Sequence, residues 1–129
     1  MTKLAIVQIP PVFLNKEQTI KKAVASIKEA VSGGATLVVF TETFVPGYPA
    51  WIWRLRPGGD FALSEQLHEL LLLNAVDMAS DDLDPLYEAA RQYEVTVVCG
   101  IEERDSNLSQ ATLYNSVVVI GADGLLLNK

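Results

Sequence analysis

Short apolar segments alternate with amphipathic ones along much of the chain, a pattern that favours an α/β fold. Residues 4–9 are nearly all apolar and predict a buried strand that stops at two prolines. Residues 15–31 predict a helix, because the first of them suits a cap position and apolar residues then recur at helical spacing. Gly33 ends this helix, and Leu37–Phe40 is a second apolar strand. These segments together predict a β-α-β unit with parallel strands.

The second half of the chain carries two more helical segments and three extended ones. Helices are predicted over Ser64–Val76 and from Asp84-Pro85 onward, since proline favours the first turn of a helix. Strands are predicted over three segments: Val95–Ile101, Leu113–Ile120 and, after a turn at Asp123-Gly124, Leu125–Leu127. The central strands are apolar on both faces, but the predicted helices cover only one face. We therefore expect the other face to meet a second sheet, another subunit or sequence outside this chain.

A long segment rich in proline and glycine, residues 41–62, interrupts this pattern. It also contains four aromatic side chains: Phe44, Tyr48, Trp51 and Trp53. Long loops in compact domains are usually functional or disordered, and aromatic residues disfavour disorder. The segment therefore indicates a functional loop.

Composition and charge exclude several kinds of partner and site. The 129 residues predict one domain, residues 1–129, with 10 basic and 16 acidic side chains and a net charge of −6. This acidic balance argues against nucleic acid or an anionic membrane surface as a partner. A single cysteine excludes an internal disulfide, and with a single histidine it leaves no Cys/His metal site. We expect no cofactor. The first apolar run is too short for a signal peptide or a membrane span, so we expect a cytoplasmic protein.

Glu42 is the strongest candidate for chemistry. It follows the strand Leu37–Phe40 by two residues, and sites in α/β proteins collect at the ends of strands. Among Phe44, Tyr48 and Trp51, a carboxylate would be partly shielded from water and would accept a proton more readily. From position alone, a solvated loop glutamate or a helix-capping carboxylate is the alternative.

The wider string from Gly34 to Pro49 resembles the signature of the nitrilase superfamily of carbon–nitrogen hydrolases. In that signature a glycine precedes an apolar strand, a glutamate stands two residues after the strand, and Gly-Tyr-Pro follows. The next residues are most similar to the nitrilase and cyanide-hydratase branch: Ala50-Trp51-Ile52-Trp53. Flanking features extend the resemblance over essentially the whole chain: Gln8, Val97–Glu103 with Arg104-Asp105, and Tyr114-Asn115-Ser116.

The resemblance implies the N-terminal half of a four-layer α-β-β-α sandwich and a truncated carbon–nitrogen hydrolase domain. It implies a Glu-Lys-Cys triad in which a thiolate attacks a nitrile or amide and a lysine stabilises the adduct. Ammonia leaves before water releases the carboxylic acid. Glu42 matches the general base, the proton acceptor, and Tyr48 and Trp51 are candidate residues of the substrate pocket. The resemblance further implies a homo-oligomer.

The other two members of that triad have no match in the chain. Lys129 resembles the first basic residue of the stretch that holds the family's lysine, so we expect the catalytic lysine beyond it. Cys99 stands in the middle of an apolar strand, which is typical of a buried, unreactive thiol. His68 is expected at the surface. Glu102 and Glu103 are adjacent in an extended segment and point to opposite faces, so they cannot act as an acid/base pair.

Three interpretations follow from the sequence. The first is a nitrilase-type hydrolase that converts a nitrile to a carboxylic acid and ammonia with Glu42 as general base. The second is a catalytically inactive fragment or pseudoenzyme that associates with a sister subunit through its uncovered sheet face. The third is an unrelated β-α-β domain that binds a small ligand.

Overall fold

The computed structural model of the chain describes residues 1–107, 109 and 111–129. In these ranges the protein contains one five-stranded sheet, three α-helices and one short 3-10 helix. The elements in chain order are β1 (Leu4–Val7), α1 (Lys16–Ser32), β2 (Leu37–Phe40), a 3-10 helix (Ala50–Trp53), α2 (Phe61–Asn74), α3 (Asp84–Gln92), β3 (Thr96–Arg104), β4 (Leu113–Ile120) and β5 (Leu126–Asn128). The spatial order of the strands is β1-β2-β3-β4-β5. The first three strands are parallel, and β4 and β5 continue the sheet antiparallel.

The predicted β-α-β unit is confirmed. Asn15 caps α1 by accepting a hydrogen bond from the Gln18 N–H at 3.0 Å. The helix buries one stripe of side chains against the sheet, including Ile20, Ala23 and Ile27. It ends at Gly33, whose N–H donates to the carbonyl of Ala30 at 3.1 Å. No helix in the described ranges has the length and apolar content that crossing a membrane requires.

Several elements differ from the sequence-based expectation. Strand β1 ends at Val7 rather than at Ile9, and it is not buried, because it lies at the edge of the sheet with Leu4 and Ile6 exposed. Helix α2 begins at Phe61 rather than three residues later, and a 3-10 helix interrupts the preceding loop. Helix α3 begins at Asp84 with Pro85 in its first turn, as predicted, but Leu83 holds the cap position and no side chain caps the helix. Strand β3 continues three residues beyond Ile101, since β4 pairs with it as far as Arg104. This extension is the difference that bears on the candidate site.

The helices and the sheet bury a core on one side of the sheet, which we call the covered face. Helices α1 and α3 pack against each other and against this face. Its strand residues are fully or almost fully buried: Val38, Phe40, Val97, Cys99, Val118 and Ile120. Each such Val or Ile side chain contributes about 1.5–3 kcal/mol through its removal from water. The covered face is therefore the main source of stability in the fold.

Among the described residues, no helix covers the opposite side of the sheet, which we call the open face. Side chains alternate across a strand, and the register places Ile6, Val39, Val98 and Val119 in one row on this side. Ile6 is 66 % exposed, and Val117 in a neighbouring row is 46 % exposed. The expectation that helices cover only one face of the sheet is confirmed.

We predict that the isolated chain self-associates through the open face. Contiguous apolar patches above a few hundred Å² are rare on monomers, and burying them is favourable by about 25 cal/mol per Å². Light scattering on a size-exclusion column should give a mass that exceeds the monomer and rises with concentration. The double variant Ile6→Thr, Val117→Ser should lower that mass. Leu73→Ser, which changes an exposed leucine of α2, serves as the control. A monomer at all concentrations contradicts the prediction.

Candidate active site

Glu42 lies on a short arch of backbone, residues 41–43, that crosses over Gly100 of β3. A Cβ atom at position 100 would lie 2.4 Å from the Thr41 carbonyl oxygen and 2.5 Å from the Thr43 nitrogen. These are backbone atoms, so no side-chain rotation could relieve the overlap. Gly100 has the same orientation as Val98 and Glu102, which places the arch on the open face. The absence of a side chain at Gly100 thus allows Glu42 to lie directly above the sheet.

The chain rejoins the sheet immediately after the arch. The Val45 N–H donates to the Gly100 carbonyl at 3.2 Å, and the Val45 carbonyl accepts from the Glu102 N–H at 2.8 Å. Val76 continues this ladder, because its N–H donates to the Glu102 carbonyl and its carbonyl accepts from the Arg104 N–H, both at 2.8 Å. Two separate loops therefore replace β2 as the neighbour of the far half of β3.

Asn115 of β4 holds the Glu42 side chain. Its Nδ2 donates to Glu42 Oε1 at 2.5 Å, across 73 positions of sequence. Asn115 is the cross-strand partner of Glu102, so both belong to the same row of the open face. We call Glu42, Glu102 and Asn115 the Glu42 site. It joins one side chain from the loop after β2 with one from each of two neighbouring strands.

Glu102 brings a second carboxyl group into this site. The residue is only 6 % exposed, and its side chain has no hydrogen-bond partner among the described residues. Burial raises the pKa of Glu102 above its ordinary range, and the negative charge of Glu42 raises it further. The site therefore combines an exposed carboxylate with a buried acid that resists ionisation.

Thr43 completes the arch in a strained conformation. Its φ of 43° lies in the left-handed region, which a β-branched residue rarely adopts. Its Oγ1 atom is buried and has no hydrogen-bond partner among the described residues. Such strain persists only where the surrounding structure enforces it, and it is enriched at functional sites.

The expected aromatic environment of Glu42 is wrong for this chain. Glu42 is exposed, whereas Phe44 is buried beside Phe40 with ring centroids 5.0 Å apart. The Trp51 ring packs edge-on against Phe13 at 5.7 Å. The Tyr48 hydroxyl accepts from Trp53 Nε1 at 3.3 Å. These aromatic side chains are engaged with other parts of the protein, and nothing described covers the open face above Glu42.

Cys99 lies on the covered face and is fully buried, as predicted. Burial raises the pKa of its thiol to about 12. A thiol that is almost entirely protonated at neutral pH is a poor nucleophile. Cys99 also points away from the open face, because it alternates with Gly100 along β3.

Lys129 pairs with Glu103 rather than with Glu42. Its ammonium lies 2.5 Å from Glu103 Oε1, and Ser116 Oγ donates to Glu103 Oε2 at 2.7 Å. Glu102 and Glu103 do point to opposite faces of β3, so the ion pair of Lys129 belongs to the side away from Glu42. Among the described residues, no group of three His, Cys, Asp or Glu side chains could hold a metal ion. His68 is exposed on α2, as expected.

Comparison with known proteins identifies the class to which this arrangement belongs. Residues 3–129 match the family model described as carbon-nitrogen hydrolase, and the chain belongs to that family. It is 40 % identical over 126 residues to an aliphatic nitrilase of Rhodococcus rhodochrous, covering 97 % of the chain and 32 % of the relative. It is 35 % identical over 125 residues to an arylacetonitrilase of Aspergillus niger, covering 97 % of the chain and 35 % of that relative. The chain spans about a third of the length of these relatives.

Solved structures agree on the fold. An amidase from Nesterenkonia sp. superposes with a TM-score of 0.64 at 16 % identity, covering 98 % of this chain and 41 % of that one. A carbon-nitrogen hydrolase from Helicobacter pylori superposes with a TM-score of 0.61 at 18 % identity, covering 98 % of this chain and 38 % of that one. The architecture matches the N-terminal half of the α-β-β-α fold, as the sequence predicted.

Sequence reasoning did not find three residues that build the Glu42 site. Gly100 appeared only as a member of an apolar strand, and Asn115 only as part of a flanking string. Nothing in the sequence pairs Glu102 with Glu42, because its neighbour Glu103 faces the other way. The available signal was the glycine inside an otherwise apolar strand, which often marks a close approach of another backbone segment.

We predict that Gly100→Ala displaces the arch and breaks the bond between Asn115 and Glu42. The new Cβ would overlap three backbone positions, so the cost should be about 1–3 kcal/mol in the free energy of unfolding. Urea denaturation measures the cost, and the NMR signal of the Asn115 side-chain amide reports the lost bond.

Gly59→Ala is the matched control for this substitution. A Cβ at position 59 would come no closer than 3.4 Å to another atom, the flexible Arg56 side chain. We expect an unchanged Asn115 amide signal and stability within about 0.5 kcal/mol of the original. If Gly100→Ala behaves like this control, the close crossing does not position Glu42.

We predict that Cys99 does not react with maleimide in the folded chain, because its thiol is buried and protonated. Mass spectrometry should show labelling only after the chain is unfolded in denaturant. Ser32→Cys places a thiol at an exposed helix end and should label within minutes under native conditions. Rapid native labelling of Cys99 would reopen it as a nucleophile.

Proposed function

We propose that this chain supplies the general base of a nitrile-hydrolysing enzyme and that Glu42 is that base. The observation that carries the proposal is the Glu42 carboxylate, held by Asn115 above Gly100 at the end of β2 in a carbon-nitrogen hydrolase. Ends of parallel strands are where α/β enzymes assemble their catalytic groups. A carboxylate fixed by a single donor keeps one oxygen available for a proton.

The chemistry requires a thiolate, a base and a positive donor. A thiol near neutral pH needs an adjacent base, and the adduct with a nitrile or amide carbon develops negative charge that a cation stabilises. Glu42 provides the base. Cys99 is the only cysteine of the sequence and is buried on the other face, and Lys129 is paired with Glu103. The nucleophile and the lysine therefore come from residues outside these 129.

A nitrile is the substrate class that the sequence relatives favour. Two relatives above one-third identity are named aliphatic nitrilase and arylacetonitrilase, and a third at 32 % is a cyanide hydratase of Armillaria gallica. The structural neighbour named an amidase is similar at 16 % identity and supports the fold alone. The product of the proposed reaction is a carboxylic acid, with ammonia released. The exposed Tyr48 and the half-buried Trp51 are proposed as residues near the substrate entrance.

The open face supports a second candidate function. A chain with this apolar surface and without its own nucleophile could act as a non-catalytic module that completes an oligomer. This interpretation requires no role for Glu42. Substitution of Glu42 therefore separates the two candidates.

We predict that the 129-residue chain alone releases no ammonia from nitriles, because loss of the nucleophile removes most of the activity of a catalytic unit. Grafted in place of the matching third of the Rhodococcus rhodochrous aliphatic nitrilase, the chain should support ammonia release from an aliphatic nitrile. Glu42→Gln in this chimera should lower kcat by about 10²–10⁴-fold, the usual contribution of a general base.

Glu65→Gln is the matched control, since it neutralises an exposed glutamate of α2. We expect its rate to equal that of the unaltered chimera, and circular dichroism establishes that each variant is folded. A folded Glu42→Gln chimera with full activity would contradict the role of Glu42. A folded but inactive unaltered chimera would favour the non-catalytic module.

A further inference from the structure

Glu102 is the buried titratable group that the proposed mechanism leaves without a role. Its carboxyl group lies on the open face, in the same row as Asn115 and two residues beyond Gly100. The residue is 6 % exposed, and no described donor satisfies its oxygens. Thr43 Oγ1 is the one fully buried polar side-chain atom without a partner in the described ranges, so the Glu102 oxygens keep some contact with solvent at the Glu42 site.

The geometry places the backbone of Glu102 beside the Glu42 arch. Its backbone N–H and carbonyl are both bonded, to Val45 and Val76 respectively. Residues two apart in a strand are separated by on the order of 7 Å, and the Glu42 backbone lies directly over Gly100. Glu102 therefore stands about one side-chain length from the Glu42 arch, on the same face.

We infer that Glu102 is a second acid of the Glu42 site and that the two carboxyl groups are coupled through their charges. The charge coupling itself does not depend on the proposed function. Only its consequence, that Glu102 modulates the general base, rests on that proposal. Glu102 acts through Glu42 and is a positioning residue rather than a catalytic one. Two carboxyl groups that interact in this way titrate as a pair.

The other charged groups around Glu102 leave this coupling intact. Arg104 follows on the same strand, but its guanidinium is paired with Asp77 at 3.7 Å. Glu103 faces the opposite side and is paired with Lys129. From β4, the cross-strand partner Asn115 is uncharged, and the loop after β2 contributes Glu42. Glu42 is therefore the charge that faces Glu102 most directly, in agreement with its raised pKa.

The test is a titration of the chain with 13C-labelled glutamate carboxyl groups, followed by NMR. The titration midpoint of Glu102 should move to lower pH in Glu42→Gln, because the opposing charge is gone. Glu103→Gln is the matched control, since it removes the same charge one residue away on the other face. Its effect on Glu102 should be clearly smaller, and amide spectra establish that each variant is folded.

A second readout keeps the inference testable if Glu42→Gln does not fold. The Asn115 side-chain amide donates to Glu42, so its signal in the unaltered chain should shift in a step at the midpoint of Glu102. That step should disappear in Glu102→Gln. The inference is overturned if the Glu102 midpoint is the same in Glu42→Gln, if Glu103→Gln moves it as far, or if the amide step persists in Glu102→Gln. These measurements use no substrate, so a negative result would not affect the proposed catalytic role of Glu42. Likewise, an active Glu42→Gln chimera would not affect the charge coupling between Glu42 and Glu102.

Discussion

The crossing of two backbone segments at Gly100 determines where the chemistry of this protein is located. A hydrogen atom in place of a side chain lets residues 41–43 lie against β3 on its open face. Because the chain then returns to the sheet at Val45, Glu42 is held from both sides of the arch. The bond from Asn115 fixes its carboxylate in turn. Without this contact the loop would leave the sheet at Phe40, and Glu42 would have no defined relation to β4.

The pattern of apolar residues was sufficient to predict most of the fold. Uniformly apolar strands and a capped amphipathic helix predicted the β-α-β unit, because these features depend on neighbours in sequence. The length of β3 was not predictable in this way. Its last residues include Glu102 and Glu103, which the sequence placed in an extended segment but outside the predicted strand Val95–Ile101. They are strand residues because β4 and the loop residues Val45 and Val76 pair with them.

The candidate site was predictable only at its first member. Glu42 follows an apolar strand and stands in a recognisable string, so its position at the sheet end needed no tertiary information. The bond to Asn115 depends on the register of β4 against β3, which local sequence does not determine. The expected desolvation of Glu42 failed for the same reason. The aromatic residues of the loop pack against Phe40 and Phe13, and proximity in sequence does not reveal such contacts.

Along the far half of β3, two loops take the place of β2 as the neighbouring segment, and this affects how the sheet can move. The near half of β3 is bonded to a regular strand, whereas the far half depends on single-residue bridges from Val45 and Val76. A regular strand pair opens as a unit, but each bridge can open with its own loop. Local opening of either loop would free one side of Glu102 while β4 still holds the other. The sheet thus has a rigid half under the helices and a half that can adjust at the Glu42 site.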